Sequence, residues 1–165
     1  VPAFSLVDQT GARFDQASLA GKPWVADFIF STCTQTCPRL TARMKEVRDR
    51  VAKKRGDGAV RFVSFSVDPE TDTPPVLAAY AARAGASWSF VTGASDDVQK
   101  AVVQGFKVTM QKTVNAAGER DVLHGNWFVL GDGQGRIRGY YQTDTEDDVD
   151  KIAHDVLRLV AESAK

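Results

Sequence analysis

Cys33 and Cys37 are the only two cysteines in the 165-residue chain. At the start of a helix, a spacing of four sets both sulfurs on one face, close enough to join as a disulfide or to grip one metal ion. The unpaired N–H groups and partial positive charge of a helix N-terminus also stabilise a thiolate and lower its pKa. The plain alternatives are two buried thiols that happen to be neighbours, or a structural disulfide. His124, one of two histidines, opens the apolar stretch Gly125-Asn126-Trp127-Phe128-Val129-Leu130. Its imidazole can stand beside the thiols if that stretch shares a sheet with the strand before Cys33; otherwise it is a histidine hydrogen-bonded at a strand edge. Two thiolates and one imidazole form a soft, low-coordinate donor set. Thiolate selects Cu(I), imidazole accommodates either copper state, and the set suits copper better than magnesium or calcium.

Other polar groups offer less. His154 sits between Ala153 and Asp155, off the Val149–Ile152–Val156 stripe of the last helix, and reads as solvent-exposed rather than as a ligand. Adding the histidines to the cysteines as a structural zinc site fails on spacing, which does not match a finger. Gly131, Gly133 and Gly135 look like a phosphate-cradling loop, yet they precede a strand instead of a helix, and a hairpin turn accounts for them. With two methionines in the chain, no Met-rich copper-scavenging tract is present.

The elements that must position these groups follow from apolar patterning. Trp24 to Phe30 is nearly continuous apolar, as in a strand buried on both faces, with Asp27 an anomaly inside it. Beyond the cysteines, Leu40, Met44, Val47 and Val51 mark one helix face, and Pro38 suits the first helical turn. The cysteines therefore belong where a central strand ends and a helix begins. Val60 to Val67 predicts a second buried strand, and a helix is expected from about Pro75 to Arg83. Trp88–Val91 predicts a short strand, followed by a helix from Ser95 that carries Val98, Val102 and Val103. Phe4 to Leu19 suits a small hairpin around Asp8-Gln9-Thr10-Gly11, a lid or edge rather than core. Phe106 to Val122 is the least readable part. Val122–Leu130 and Ile137–Tyr141 predict a closing hairpin, and Thr145 with Asp148 caps a last helix that buries Val149, Ile152, Val156, Leu159 and Val160. This alternation points to an α/β sheet covered by helices.

Length suits one domain with its own core, which leaves the cysteines free for chemistry. The 21 Lys+Arg balance 21 Asp+Glu, so no field gathers phosphate, which argues against nucleic acid as a partner. With 43% apolar and 25% charged residues and no long apolar run, the chain reads as globular and neither disordered nor membrane-spanning. It begins at Val1 rather than Met, from which we expect that a signal or membrane anchor has been removed.

Several short pieces follow one another in a specific order. Phe30-Ser31-Thr32-Cys33 through Cys37-Pro38 is followed by Ser66-Val67-Asp68-Pro69 with Asp72-Thr73-Pro74, then by Thr92-Gly93. His124 then leads to Val129-Leu130 and Gly135-Arg136-Ile137-Arg138-Gly139-Tyr140-Tyr141. Together they resemble the Sco/SenC family over nearly the whole chain. The resemblance implies a single thioredoxin-like α/β domain over 1–165, with a central mixed sheet flanked by helices and an N-terminal β-hairpin. It implies copper, as Cu(I) and Cu(II), held by Cys33, Cys37 and His124, with Cys33 and Cys37 also a redox-active pair and Asp68 either supporting a ligand from behind or fixing the nearby loop. The implied function is a metallochaperone that assists assembly of the dinuclear copper centre of cytochrome c oxidase. Its implied partners are the copper-centre subunit of that enzyme, other copper chaperones and thiol reductases. The implied location is the outer, periplasmic face of a bacterial inner membrane, or the equivalent mitochondrial face, through a removed N-terminal anchor. Thr34 and Gln35 differ from the family, which usually carries Pro after the first Cys and often an acidic residue next. A thiol–disulfide oxidoreductase that reduces the cysteines of a copper-site partner is the main alternative. A redox or copper sensor is another. A peroxidase of the peroxiredoxin kind lacks its Thr-x-x-Cys signature here, since Thr32 directly precedes Cys33.

Overall fold

The computed structural model describes residues 2–32, 36–108, 110–114, 120–124 and 127–163, with backbone alone for 36–37, 110–114 and 120–124. At its centre β3 (Trp24–Ile29) is buried at every position, as a strand must be when it has neighbours on both edges and cover on both faces. β4 (Arg61–Ser66) runs parallel to it with Asp27 beside Ser64, and β5 (Ser89–Thr92) is parallel to β4. On the other side β8 (Trp127–Gly131) pairs antiparallel with β3, and β9 (Ile137–Gln142) pairs with β8. An N-terminal hairpin of β1 (Ser5–Asp8) and β2 (Arg13–Asp15) joins through β5. The result is a seven-stranded mixed sheet in the order β2-β1-β5-β4-β3-β8-β9, the α/β architecture expected from the patterning.

Helices supply the cover. α1 (Thr36–Arg55) buries Leu40, Met44, Val47 and Val51, the face expected from their spacing. α2 (Pro74–Ala84) opens on prolines and ends at Gly85, whose left-handed φ of 65° closes the helix at no steric cost. α3 (Ser95–Gln99) continues into a π-helical segment, Lys100–Gly105. α4 (Glu146–Ser163) begins with the expected cap: the Asp148 N–H donates to Thr145 Oγ1 at 3.1 Å and the Thr145 N–H to Asp148 Oδ2 at 3.0 Å. Arg43 pairs with Glu146 and Arg50 with Asp150, tying α1 to α4.

The two sheet faces pack differently. On one, Phe106 meets Trp24, Phe28 and Phe65 with ring centroids 5.6, 5.7 and 4.7 Å away. On the other, Trp88 stacks on Phe90, which meets Tyr80 of α2 edge-on.

Three expectations change. The N-terminal hairpin is at the sheet edge but belongs to the core, since Leu6, Phe14 and the following Leu19 are buried. Val103 is 38% exposed while Val98 and Val102 are buried, because the π-helical turn rotates it off the α-helical stripe. Val122–Leu130 is not one strand. β6 (Met110–Val114) and β7 (Arg120–His124) form a separate two-stranded hairpin, so His124 ends β7 and β8 starts only at Trp127.

Candidate metal centre

Strand direction decides what meets at the site. β3 and β4 are parallel, so both deliver their C-terminal ends to one edge of the sheet. From β3 the chain passes through buried Phe30 to Ser31 and Thr32, and α1 begins at Thr36. Cys37 is thus the second residue of α1, as the Pro38 signal implied, while Cys33 lies outside the described residues. β8 is antiparallel to β3, with Trp24 opposite Gly131 and Ala26 opposite Val129. Its N-terminal end therefore lies at the edge where β3 ends. His124 closes β7 just ahead of that end and is opposite Met110 in the hairpin register. The backbone thus places the N-terminal end of β8, three residues after His124, at the edge where β3 ends and α1 follows with Cys37, and it leaves His154 on α4, its side chain 76% exposed beside Asp155.

One clamp fixes the approach to the cysteines. The Ser31 N–H donates to both carboxylate oxygens of Asp72, at 3.3 and 3.1 Å, and the Ser31 hydroxyl donates to Oδ1. Ser66 Oγ donates to Oδ2 at 2.7 Å. Asp72 is fully buried, and such a carboxylate is tolerable only with donors of this kind around it. Asp68, expected to fix the loop, joins this network through its backbone: its N–H donates to Ser66 Oγ at 3.1 Å and its carbonyl accepts from the Asp72 N–H at 2.9 Å. The side chain that holds Ser31 is that of Asp72. In the sequence Asp72 precedes Thr73-Pro74 and reads as a helix-leading turn residue, which gives no sign that it faces inward.

Asp27 is the second buried carboxyl. Ser64 Oγ donates to its Oδ1, and Trp88 Nε1 donates to Ser64 Oγ at 2.9 Å. Its Oδ2 has no hydrogen-bond partner among the described residues. Burial pushes its pKa up to about 7, with the Ser64 hydrogen bond pulling the other way. The anomaly visible in the sequence is therefore a carboxyl that is easily protonated, on the strand that leads to the cysteine turn.

The charge pattern of α1 favours anions at that turn. Its first turn has no acidic residue, while Lys53, Lys54 and Arg55 occupy its last. A helix N-terminus carries a partial positive charge, and no acidic side chain of that first turn offsets it. The glycine-rich turn between β8 and β9 has a structural explanation instead. Asp132 accepts from the N–H groups of Gln134 and Arg136 at 2.9 and 3.1 Å, and a Cβ at Gly131 would stand 2.0 Å from the Trp24 ring.

The SCO1/SenC family model matches residues 1–161 of the sequence. The chain belongs to the SCO1/SenC family. A SCO1 protein homolog from Bacillus subtilis is 34% identical over 160 residues, covering 94% of this chain and 80% of the homolog. Among solved structures, Bradyrhizobium japonicum ScoI with copper bound matches with a TM-score of 0.82 at 26% identity, covering 96% of this chain and 98% of the other. BsSco, described with a disulfide switch and as a member of the Sco family of cytochrome c oxidase assembly proteins, matches with a TM-score of 0.82 at 31% identity, covering 98% and 93%. The mixed sheet and its helices are the thioredoxin-like fold of these SCO1/SenC structures.

Proposed function

We propose that this SCO1/SenC protein carries copper as cargo on Cys33, Cys37 and His124 and passes it to the dinuclear copper site of cytochrome c oxidase. The observation that carries the reading is topological: the end of β3, after which α1 opens with Cys37, and the N-terminal end of β8, which starts three residues after His124, lie at one edge of the sheet. The donor types fit the cargo, since two thiolates suffice for Cu(I) and an imidazole helps to hold Cu(II). Copper bound to a relative of the same fold and the oxidase-assembly description of another support it. Work on the outer face of a bacterial inner membrane, or its mitochondrial equivalent, belongs to the same proposal.

A second reading keeps the cysteines and drops the metal. Cys33 and Cys37 then alternate between dithiol and disulfide and reduce the cysteines of a copper-site partner. The uncompensated N-terminus of α1 favours it by favouring thiolate. Metal analysis of the reduced protein after incubation with copper, with zinc as competitor, separates the two. The carrier reading expects one copper per chain retained against zinc and lost when both cysteines are changed to Ser. Failure to retain copper overturns it.

A further inference from the structure

α1 and α2 enclose an open cleft of ≈ 490 Å³, walled by Thr41, Ala42 and Lys45 on one side and Tyr80, Arg83 and Ala84 on the other. These positions fall three and four apart on each helix, so each wall is a single helix face. The small side chains of Ala42 and Ala84 leave the cleft open, and Thr41 Oγ1 and the Tyr80 hydroxyl, 3.0 Å apart, form its floor. One end is formed by Ser31 and Pro38. Ser31 is the residue that Asp72 holds, and Pro38 follows Cys37, so this end of the cleft is lined by the described residues that flank the cysteine segment in sequence.

Its other end is positive. Arg43 and Arg50 on α1 have carboxylate partners, whereas Lys45 and Arg83 meet none among the described residues. Lys45 reaches across the cleft, its Nζ 3.1 Å from where a Cβ would stand on Gly85 at the end of α2. Along α1 the step from Pro38 to Lys45 is about 10 Å, which an extended segment of about three residues spans.

We propose that this cleft docks an acidic, extended segment of the protein that exchanges metal with the cysteine turn. A carboxylate of that segment lies between Lys45 and Arg83, and a small apolar side chain lies against Ala42 and Ala84. The proposal rests on the carrier reading for its partner, and charge complementarity selects the segment. Opposite charge steers association and sets register more than it adds affinity.

The test has two arms. In the first, the ¹⁵N-labelled protein is titrated with a capped Glu-Glu-Val-Gly peptide and with its Gln-Gln-Val-Gly counterpart. Amide shifts at Ala42, Lys45, Arg83 and Ala84 are expected with the acidic peptide alone, and not in a Lys45→Glu/Arg83→Glu variant. Shifts elsewhere, none at all, equal shifts from inorganic phosphate, or self-association through these residues would overturn the proposal. In the second, copper transfer to the soluble copper domain of the oxidase is timed. The double variant should keep the wild-type copper spectrum yet transfer about tenfold more slowly at 0.1 M salt, with the gap closing at 1 M as screening shortens. A Lys53→Glu/Lys54→Glu control, of equal charge change at the far end of α1, should transfer like wild type. Equal rates for both variants overturn the cleft and leave the carrier reading intact. Peptide binding at the cleft with no transfer even from wild type overturns the oxidase reading alone.

Discussion

Asp72 holds Ser31 by its backbone N–H and its hydroxyl at once, so the chain enters the cysteine turn from a point tied to the end of β4. Asp72→Ala should strand these donors in a buried site and cost about 2–4 kcal/mol. Ser31→Ala, which keeps the backbone donor, should cost about 1 kcal/mol. Urea midpoints of the two variants test this, and equal midpoints would show that the carboxylate does not carry the clamp.

Asp27 predicts a pH dependence. Its folded-state pKa is raised from 3.8 to about 7, so between those values the folded protein keeps a proton that the unfolded chain releases. Stability from this group therefore declines as pH rises through that window, and the penalty is complete above about pH 7. Asp27→Asn should be near neutral at pH 4 and stabilising at pH 8, by at most about 4 kcal/mol. Thermal midpoints of both proteins at the two pH values decide it. A constant difference between them would mean that Asp27 does not change charge across the range.

For the metal site, His124→Ala should weaken Cu(II) far more than Cu(I) and leave the Cys33–Cys37 disulfide able to form, because two sulfurs satisfy Cu(I) without an imidazole. The measurement is the visible thiolate-to-Cu(II) absorption at equal copper, with His154→Ala as control. Unchanged absorption in the first variant, or its loss in the second, would falsify the ligand assignment.

Phe106 packs against Trp24, Phe28 and Phe65 and is fully buried. Its carbonyl also accepts from the Tyr140 hydroxyl at 2.8 Å, tying the end of the π-helical segment to β9. Phe106→Ala should cost about 3–5 kcal/mol, read from chemical denaturation. A loss under 1 kcal/mol would mean that the rings around it collapse to fill the space.

These residues also show what the sequence could and could not disclose. β3 and α1 were legible because unbroken apolar character and a four-three-four spacing each have one structural solution. The π-helical turn was not, since Val102 and Val103 look equally apolar until the extra residue in the turn rotates one outward. The β6–β7 hairpin was hidden because Gln111-Lys112-Thr113 and Arg120-Asp121 give no strong apolar alternation. Asp27 announced itself as a charge inside a hydrophobic run, whereas Asp72 sat among turn residues and gave no such contrast. At the site, the helix-start position of Cys37 was readable from Pro38. That β8, just after His124, begins at the edge where β3 ends follows from the β3–β8 pairing, which no local pattern encodes.

That pairing also sets an order of events. Ala26 and Val129 meet in the ladder although most of the chain lies between them, and such distant closures are slow to form. A nascent chain that has not yet reached β8 already has its thiols but lacks the strand that follows His124 and pairs with β3. On the proposed ligand set, grip on a metal by all three groups would therefore belong to the finished sheet, and a fragment ending before Trp127 should behave as a dithiol whatever the intact molecule does.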